Sequence, residues 1–402
     1  MENGGELRCF ACGATFAMAG LFHGCPTCAQ AGEESALEYW VDVPTAESIA
    51  FIGASAGVSR HGVWEYRELL PRVTTELTLG EGTTPLTPLP ELGKELGINL
   101  YVKNETCNPT WSFKDRYVSV ALSVAMELGF RRILCLSAGN FGHSAAAYSA
   151  TAGLECRVVV VPGASSFMQR AMQIHGARVV TMADGEEKED YVRKLVDEDG
   201  WYPLTCMDPA TASHIANPYG STGYKTIAYE VYSQLGFTPD AMFVPVGGGD
   251  CLTAIWRGAN DLHALGLSTS LPQIMGCQAA AAAPLVAAVE SGSSRIQAVP
   301  EGETRALSIR HGRCSPSALQ AVLDSGGTAV GVTDEEILET IRIVAGYGLL
   351  PEAAAATTLA GVTKLARSGR LAAGSTAVCV MTGTAAKWPE LVAELADPAR
   401  AS

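Results

Sequence analysis

What the chain lacks narrows its function first. It has no block of lysine and arginine: 28 basic residues stand against 42 acidic ones, a net charge of −14. Nucleic acid and anionic membrane surfaces are therefore not expected partners. Only 17% of the residues are charged and 48% are apolar, yet no apolar run is long and unbroken enough to span a bilayer. The start, Met1-Glu2-Asn3-Gly4-Gly5-Glu6, has neither the basic opening nor the apolar stretch of a secretory leader. A cytoplasmic protein is the expectation. No repeat recurs at solenoid periods. The G-x-G-x-x-G spacing of dinucleotide-binding turns and the Walker A sequence are also missing.

What is present suits a well-buried enzyme of two or three domains: 402 residues with 42 glycines. Of twelve cysteines, four cluster as Cys9-Phe10-Ala11-Cys12 and Cys25-Pro26-Thr27-Cys28, with twelve residues between the pairs. Each Cys-x-x-Cys turn aims two thiolates at one point, and two such turns complete a tetrahedron around zinc. Four sulfur ligands leave no open position, so the expected ion is structural. His23, beside the second pair, is expected at the surface and not as a ligand. The other eight cysteines (107, 135, 156, 206, 251, 277, 314 and 379) are scattered, as reduced, buried, small side chains would be.

Residues 1–40 form the cysteine unit, followed by a connector in which Gly53 to Gly62 reads as loop. From about 100 to 380 the chain alternates. Apolar runs at Leu100-Val102, Ile133-Leu136, Arg157-Val161, Arg178-Met182, Met242-Val246, Gln273-Cys277 and Ala377-Met381 predict strands. Helical periods lie between them, at Arg116-Leu128, His143-Ala152, Lys188-Asp197, Tyr224-Leu235, Cys251-Leu262, Asp334-Ala345 and Pro351-Ser368. The alternation predicts an α/β fold of parallel sheets covered on both faces.

Three segments carry the chemistry. In Asn108-Pro109-Thr110-Trp111-Ser112-Phe113-Lys114-Asp115-Arg116, Pro109 keeps the chain extended, and Ser112 with Asp115 forms a capping pattern that starts a helix at Ser112. Lys114 then sits in the first turn, where the positive end of the helix disfavours a cation and favours a nucleophilic amine. Trp111 and Phe113 are expected to enclose it; a lone lysine without such neighbours would be an ordinary surface residue. Ser137-Ala138-Gly139-Asn140 and Gly247-Gly248-Gly249-Asp250 each follow a strand and open a helix, where bare amides can converge on an anion. Either could be a plain tight turn; together with Lys114 they suit an aldehyde cofactor bearing a phosphate. The Asp250 carboxylate would repel that phosphate, so its side chain is expected to cap the helix or point away.

With these residues in place, the chain resembles the threonine synthase branch of the fold type II pyridoxal-phosphate (PLP) enzymes. The likeness runs through the cysteine unit, Tyr66 to Pro71, Glu81-Gly82-Thr83-Thr84-Pro85-Leu86, Asn108 to Arg116, Ser137 to Gly142, Asn217-Pro218, Gly223 to Thr226, Val246 to Asp250 and Val380 to Gly383. It implies two doubly wound parallel-sheet domains behind a four-cysteine, zinc-ribbon-like unit. The implied divisions are 1–40 for that unit, 41–115 for an arm and the first part of a large PLP domain, 116–199 for a small domain and 200–402 for the rest of the large one. It implies that Lys114 holds the cofactor covalently, Asn140 contacts its ring hydroxyl, and Gly247, Gly248, Gly249 and Asp250 bind its phosphate. Phe113 and Cys251 would adjoin the cofactor, and Thr382 would hydrogen-bond the pyridine nitrogen. Ser137, Ala138, Gly139 and Phe141 would receive the substrate carboxylate, with Thr84 and Asn217 also facing substrate. A hydroxyl partner leaves the ring nitrogen unprotonated, which suits elimination and replacement at Cβ or Cγ. A homodimer is the family's habit.

The sequence departs from the family at three places. Trp111 stands where glycine is usual, Phe141 where a small hydroxyl residue is common, and Tyr219-Gly220 where an arginine often holds the phosphate of O-phosphohomoserine. The implied reaction converts O-phospho-L-homoserine and water to L-threonine and phosphate. The departures leave open β-elimination or β-replacement on serine, threonine or an O-phosphorylated relative. A protein that binds PLP or another metabolite without turnover is the third reading.

Overall fold

The computed structural model describes residues 5–33, 35–41, 61–204 and 217–397; Cys206 and most of the 53–62 loop reading lie outside them. In chain order its strands are β1 (Glu6–Cys9), β2 (Thr15–Phe16), β3 (Leu37–Trp40), β4 (Leu86–Pro88), β5 (Asn99–Asn104), β6 (Arg132–Leu136), β7 (Glu155–Val160), β8 (Arg178–Thr181), β9 (Tyr202–Leu204), β10 (Ala241–Pro245), β11 (Gln273–Ala279), β12 (Thr328–Val332) and β13 (Thr376–Met381). The chain separates into two compact units, one drawn from Met1–Thr83 and Lys114–Thr226, the other from Thr84–Phe113 and Ile227–Ser402.

The first unit holds two sheets. The cysteine segment forms a small antiparallel sheet in the order β2-β1-β3. The second sheet, β8-β7-β6-β9, is parallel throughout. From β6 the chain winds outward to β7 and β8, then returns to β9 on the other side of β6. That reversal opens a crevice at the carboxyl end of β6, where ligands bind in such sheets. Ser137 to Asn140 occupy this place.

The second unit carries the sheet β12-β11-β10-β13-β5-β4, parallel except for β4. Its central strands are apolar on both faces: every residue of β10 and β13 is buried. The helix Ala353–Arg367 packs its alanines and leucines on this sheet. Gly361 is the point of closest approach, since a Cβ there would lie 2.9 Å from Cys277 Sγ. Burying each Leu or Val of this core contributes about 1.5–3 kcal/mol. The winding again reverses, between β10 and β13. Their carboxyl ends carry Gly247–Asp250 and Thr382.

The predicted strands appear with boundaries shifted by one or two residues. The helices appear too, that at Asp334–Ala345 with both ends as read. Among the scattered cysteines, 135, 156, 251, 277, 314 and 379 are buried as expected, whereas Cys107 is exposed. Burial pushes the Cys156 and Cys314 thiols up to about 12, so both stay protonated and unreactive at neutral pH.

Candidate active site

Lys114 is the first residue of the helix Lys114–Glu127. The helix does not begin at Ser112 as the capping pattern predicts. Ser112 is held in a backbone bridge to Gly383, and Phe113 N–H donates to Thr382 O at 2.9 Å. The Ser112 hydroxyl is buried with no hydrogen-bond partner, so it caps nothing. Asp115, the other half of the pattern, accepts instead from Ser144 Oγ at 2.6 Å. Long-range partners outcompeted the local cap.

The side chain of Lys114 is enclosed by rings, but not by those its neighbours in sequence suggest. Nζ lies 4.9 Å from the Phe141 ring centroid and 5.6 Å from that of Tyr224. Tyr117, one helical turn beyond Lys114, packs edge-on to Phe141 at 4.9 Å and against Tyr224 at 5.5 Å. Trp111 is 50% exposed and takes a left-handed backbone, φ +62°. It closes a turn in which its N–H donates to Asn108 O at 2.8 Å. That conformation is the one glycine adopts freely, and a tryptophan holds it only under constraint.

Asn140 begins the helix Asn140–Ala152 and is 4% exposed. The loop before it is pinned from both sides. Gly139 N–H donates to Ser137 Oγ at 3.3 Å, and a Cβ on Gly142 would stand 2.3 Å from Ser137 O. Ser137, Ala138 and Gly139 remain partly open to solvent at a helix N-terminus, a place that favours an anion.

In the second unit, Gly249 caps the helix Asp250–Ala264 with φ +103°. Cβ atoms on Gly247 and Gly249 would lie 2.8 Å from His311 Cδ2 and 2.5 Å from Ala318 Cβ. Ser315 N–H holds Gly248 O at 2.8 Å. The three glycines form a turn in which side chains at 247 and 249 would not fit, with Gly247 and Gly248 partly exposed at the start of a long helix. Asp250 is the first residue of that helix, not its cap, and its Oδ2 is buried with no hydrogen-bond partner. It lies near Cys314, where its charge adds to the burial that raises that thiol. Cys251 follows it, buried. Thr382, 3% exposed, ends β13 beside β10.

Two expected substrate contacts serve the scaffold. Thr84 is 1% exposed. Its hydroxyl donates to Glu105 Oε1 at 2.6 Å, its N–H to Glu230 Oε2 at 3.2 Å, and its carbonyl accepts from Lys103 Nζ at 2.6 Å. Asn217 Oδ1 accepts from the amides of Tyr219 and Gly220, and Nδ2 donates to Pro203 O at 3.2 Å. Tyr219, at the place of the absent arginine, is fully buried, with its hydroxyl on Ala19. Sequence reasoning gave no role to Tyr117, Tyr224 or Ser144. The first and last were within reach of helical spacing, one turn from Lys114 and Asn140.

The four cysteine Sγ atoms lie within 4.8 Å of one another, with Cys9–Cys28 at 3.6 Å and Cys12–Cys25 at 3.7 Å. The edge of a tetrahedron with zinc–sulfur bonds of about 2.3 Å is about 3.8 Å, so the donor set fits zinc in size and in chemistry. His23 stands apart as expected, paired at the surface with Asp197 at 2.9 Å.

Comparison with known proteins supplies the rest. The family model described as "Pyridoxal-phosphate dependent enzyme" matches residues 77–383. The threonine synthase of Halalkalibacterium halodurans is 40% identical over 341 residues, covering 83% of this chain and 91% of that protein. That of Methanosarcina acetivorans is 35% identical over 400 residues, covering 98% and 94%. Among solved structures, maize serine racemase superposes with a TM-score of 0.65 at 19% identity, covering 78% of this chain and 92% of its own. The processed form of threonine deaminase isoform 2 from Solanum lycopersicum superposes with 0.64 at 20%, covering 78% and 83%. These two share the fold.

Proposed function

The chain belongs to the pyridoxal-phosphate dependent enzymes, and from that premise we propose a threonine synthase that converts O-phospho-L-homoserine and water to L-threonine and phosphate. The observation that carries the reading is Lys114 at a helix start, flanked by the rings of Phe141 and Tyr224. Bound to it, the cofactor supplies an aldehyde and an electron-withdrawing ring that acidifies the substrate's carbon-bound hydrogens.

The chain's own residues do the remainder. The amides of Gly247 to Asp250, in a turn where a Cβ on Gly247 or Gly249 would clash, would bind the cofactor phosphate. Thr382 would present a hydroxyl to the pyridine nitrogen, and Asn140 an amide to the ring hydroxyl. Ser137 to Phe141 bind the substrate carboxylate. Lys114 would hold the cofactor, and its Nζ as a free amine would accept and return protons at the substrate carbons. Phe141 and Tyr224 flank that amine with ring faces, and Tyr117 backs both rings.

The four thiols are proposed to hold one structural zinc, and the family habit supports a cytoplasmic homodimer. Among the described residues no helix is long and apolar enough to cross a membrane.

Purified enzyme given O-phospho-L-homoserine should release phosphate and threonine in equal amounts, without ammonia. Ammonia and a keto acid from serine or threonine, with no phosphate released, would replace this reading by β-elimination. Lys114→Ala should lose both turnover and the visible absorption of the bound cofactor; a variant that keeps that band refutes the role of Lys114. Metal analysis should find about one zinc per chain, lost in Cys12→Ser.

A further inference from the structure

The cysteine unit shares one buried core with the helix that carries Lys114. Leu7, Cys9, Cys25, Cys28, Leu37 and Tyr39 pack together with Val124 of that helix and with Tyr219. Tyr219 is the most tightly held member. Its Oη accepts from Ala19 N–H at 2.8 Å and donates to Ala19 O at 2.7 Å. The neighbouring Pro218 O accepts from Tyr39 N–H at 3.3 Å, and the rings of Tyr39 and Tyr219 stand 5.8 Å apart. Two segments some 200 residues apart in sequence are thus joined at three points.

Beyond Tyr219 the chain enters the short helical turn Gly220–Tyr224. Tyr219 O anchors that turn by accepting from Thr222 N–H at 3.1 Å and Thr222 Oγ1 at 2.6 Å. The turn lies flat on the Lys114 helix. A Cβ on Gly220 would stand 2.2 Å from the Tyr117 ring, and one on Gly223 2.1 Å from Arg116 O. At its end Tyr224 faces Lys114 Nζ across 5.6 Å. The steps from Ala19 to Gly223 are hydrogen bonds or close approaches of backbone to its neighbours.

The start of this path is its weakest part. Ala19 lies on the stretch from Phe16 to Cys25, whose sheet support is the two-residue strand β2. The thiols before and at the end of this stretch, Cys12 and Cys25, stand 3.7 Å apart and would be held together by a metal.

We propose that the tetrathiolate site is a divalent-metal brace for the active-site lysine, with Tyr219 as the positioning residue that transmits it. The ion fixes the Ala19 stretch, Ala19 fixes Tyr219, and Tyr219 seats the turn whose Tyr224 flanks Lys114. The absent arginine has a physical counterpart in this: the side chain at that place is committed to the metal unit. The proposal rests on the zinc and Lys114 readings above.

Hydrogen–deuterium exchange of the full-length enzyme tests it in three states: zinc-loaded, stripped with a chelator under reducing conditions, and zinc-loaded Tyr219→Phe. Metal content is measured in each. Stripping should speed exchange in residues 217–226 by about tenfold or more, not only in 5–41. It should also move the pH midpoint at which the cofactor's visible band changes. Tyr219→Phe should reproduce both effects while retaining its zinc. A chain that takes up zinc but exchanges identically at 217–226 with and without it overturns the brace alone. A chain that takes up no zinc overturns the metal reading and the brace together. The stripping arm needs no variant, so a Tyr219→Phe protein that fails to fold leaves the test intact.

Discussion

Asp115 Oδ1 accepts a hydrogen bond from Ser144 Oγ at 2.6 Å, and neither side chain reaches solvent. The bond ties the first turn of the Lys114 helix to the second turn of the Asn140 helix. Two residues proposed to touch the cofactor are thereby held in register through their immediate neighbours. Ser144→Ala leaves a buried carboxylate oxygen without this donor, a loss of about 1–3 kcal/mol. Urea denaturation should register it, and the cofactor's visible band should shift because Lys114 is no longer fixed against Asn140. A destabilised variant with an unaltered spectrum would limit Asp115 and Ser144 to folding.

Gly249 combines φ +103° with a space that Ala318 already fills. Gly249→Ala should therefore strain the turn by about 1–3 kcal/mol. If the loop relieves that strain by leaving its phosphate-binding shape, cofactor affinity falls about tenfold for each 1.4 kcal/mol. Fluorescence titration of the cofactor-free variant measures this, and wild-type affinity would detach the glycine turn from cofactor binding.

Trp111 sits in the left-handed region with half its surface exposed. The conformation costs a bulky residue about 1–3 kcal/mol, and glycine would escape that while adding about 0.5–1 kcal/mol of backbone entropy to folding. Trp111→Gly should thus be as stable as the parent or more so. Trp111→Val, β-branched and equally constrained, should be less stable. Thermal denaturation in which both variants lose the same stability would show that the indole's contacts, not its backbone, matter at this position.

Burial holds the Glu81 carboxyl above the ordinary carboxylate range, against the lowering pull of hydrogen bonds from Tyr148 and Ser119. Its Oε2 accepts from Tyr148 Oη at 2.6 Å, while the buried Oε1 has no hydrogen-bond partner and is the atom on which a proton would sit. The folded protein binds this proton more tightly than the unfolded chain does. Stability from Glu81 is therefore full below the unfolded value of 4.5 and is lost as pH rises through the folded value. Glu81→Gln, which carries no proton to lose, should gain stability relative to the parent as pH is raised from about 4.5 to about 8. A constant difference across that range in urea titrations would mean that Glu81 titrates normally.

Much of the fold was legible because its signals are local. The apolar run at Met242-Val246 and the helical period at Asp334-Ala345 each announce themselves within a dozen residues. Strands β9 and β12 were not read. The first is three residues long with Pro203 at its centre, and the second is interrupted by Gly331. Both are strands because neighbours in the sheet make them so.

The site divides in the same way. Sequence alone placed Lys114 in the first turn of a helix, two glycine turns after strands, and four cysteines at a spacing that lets them meet, because steric limits and spacing act over a few bonds. Only the tertiary structure decided that Phe141 and Tyr224, not Trp111, enclose the lysine, that Asp115 binds Ser144 and not Ser112, and that Tyr219 turns to Ala19. Those choices are settled by burial, which brings Ala19 and Tyr219 into contact across 200 positions and leaves each polar group the partner it can reach once water is gone.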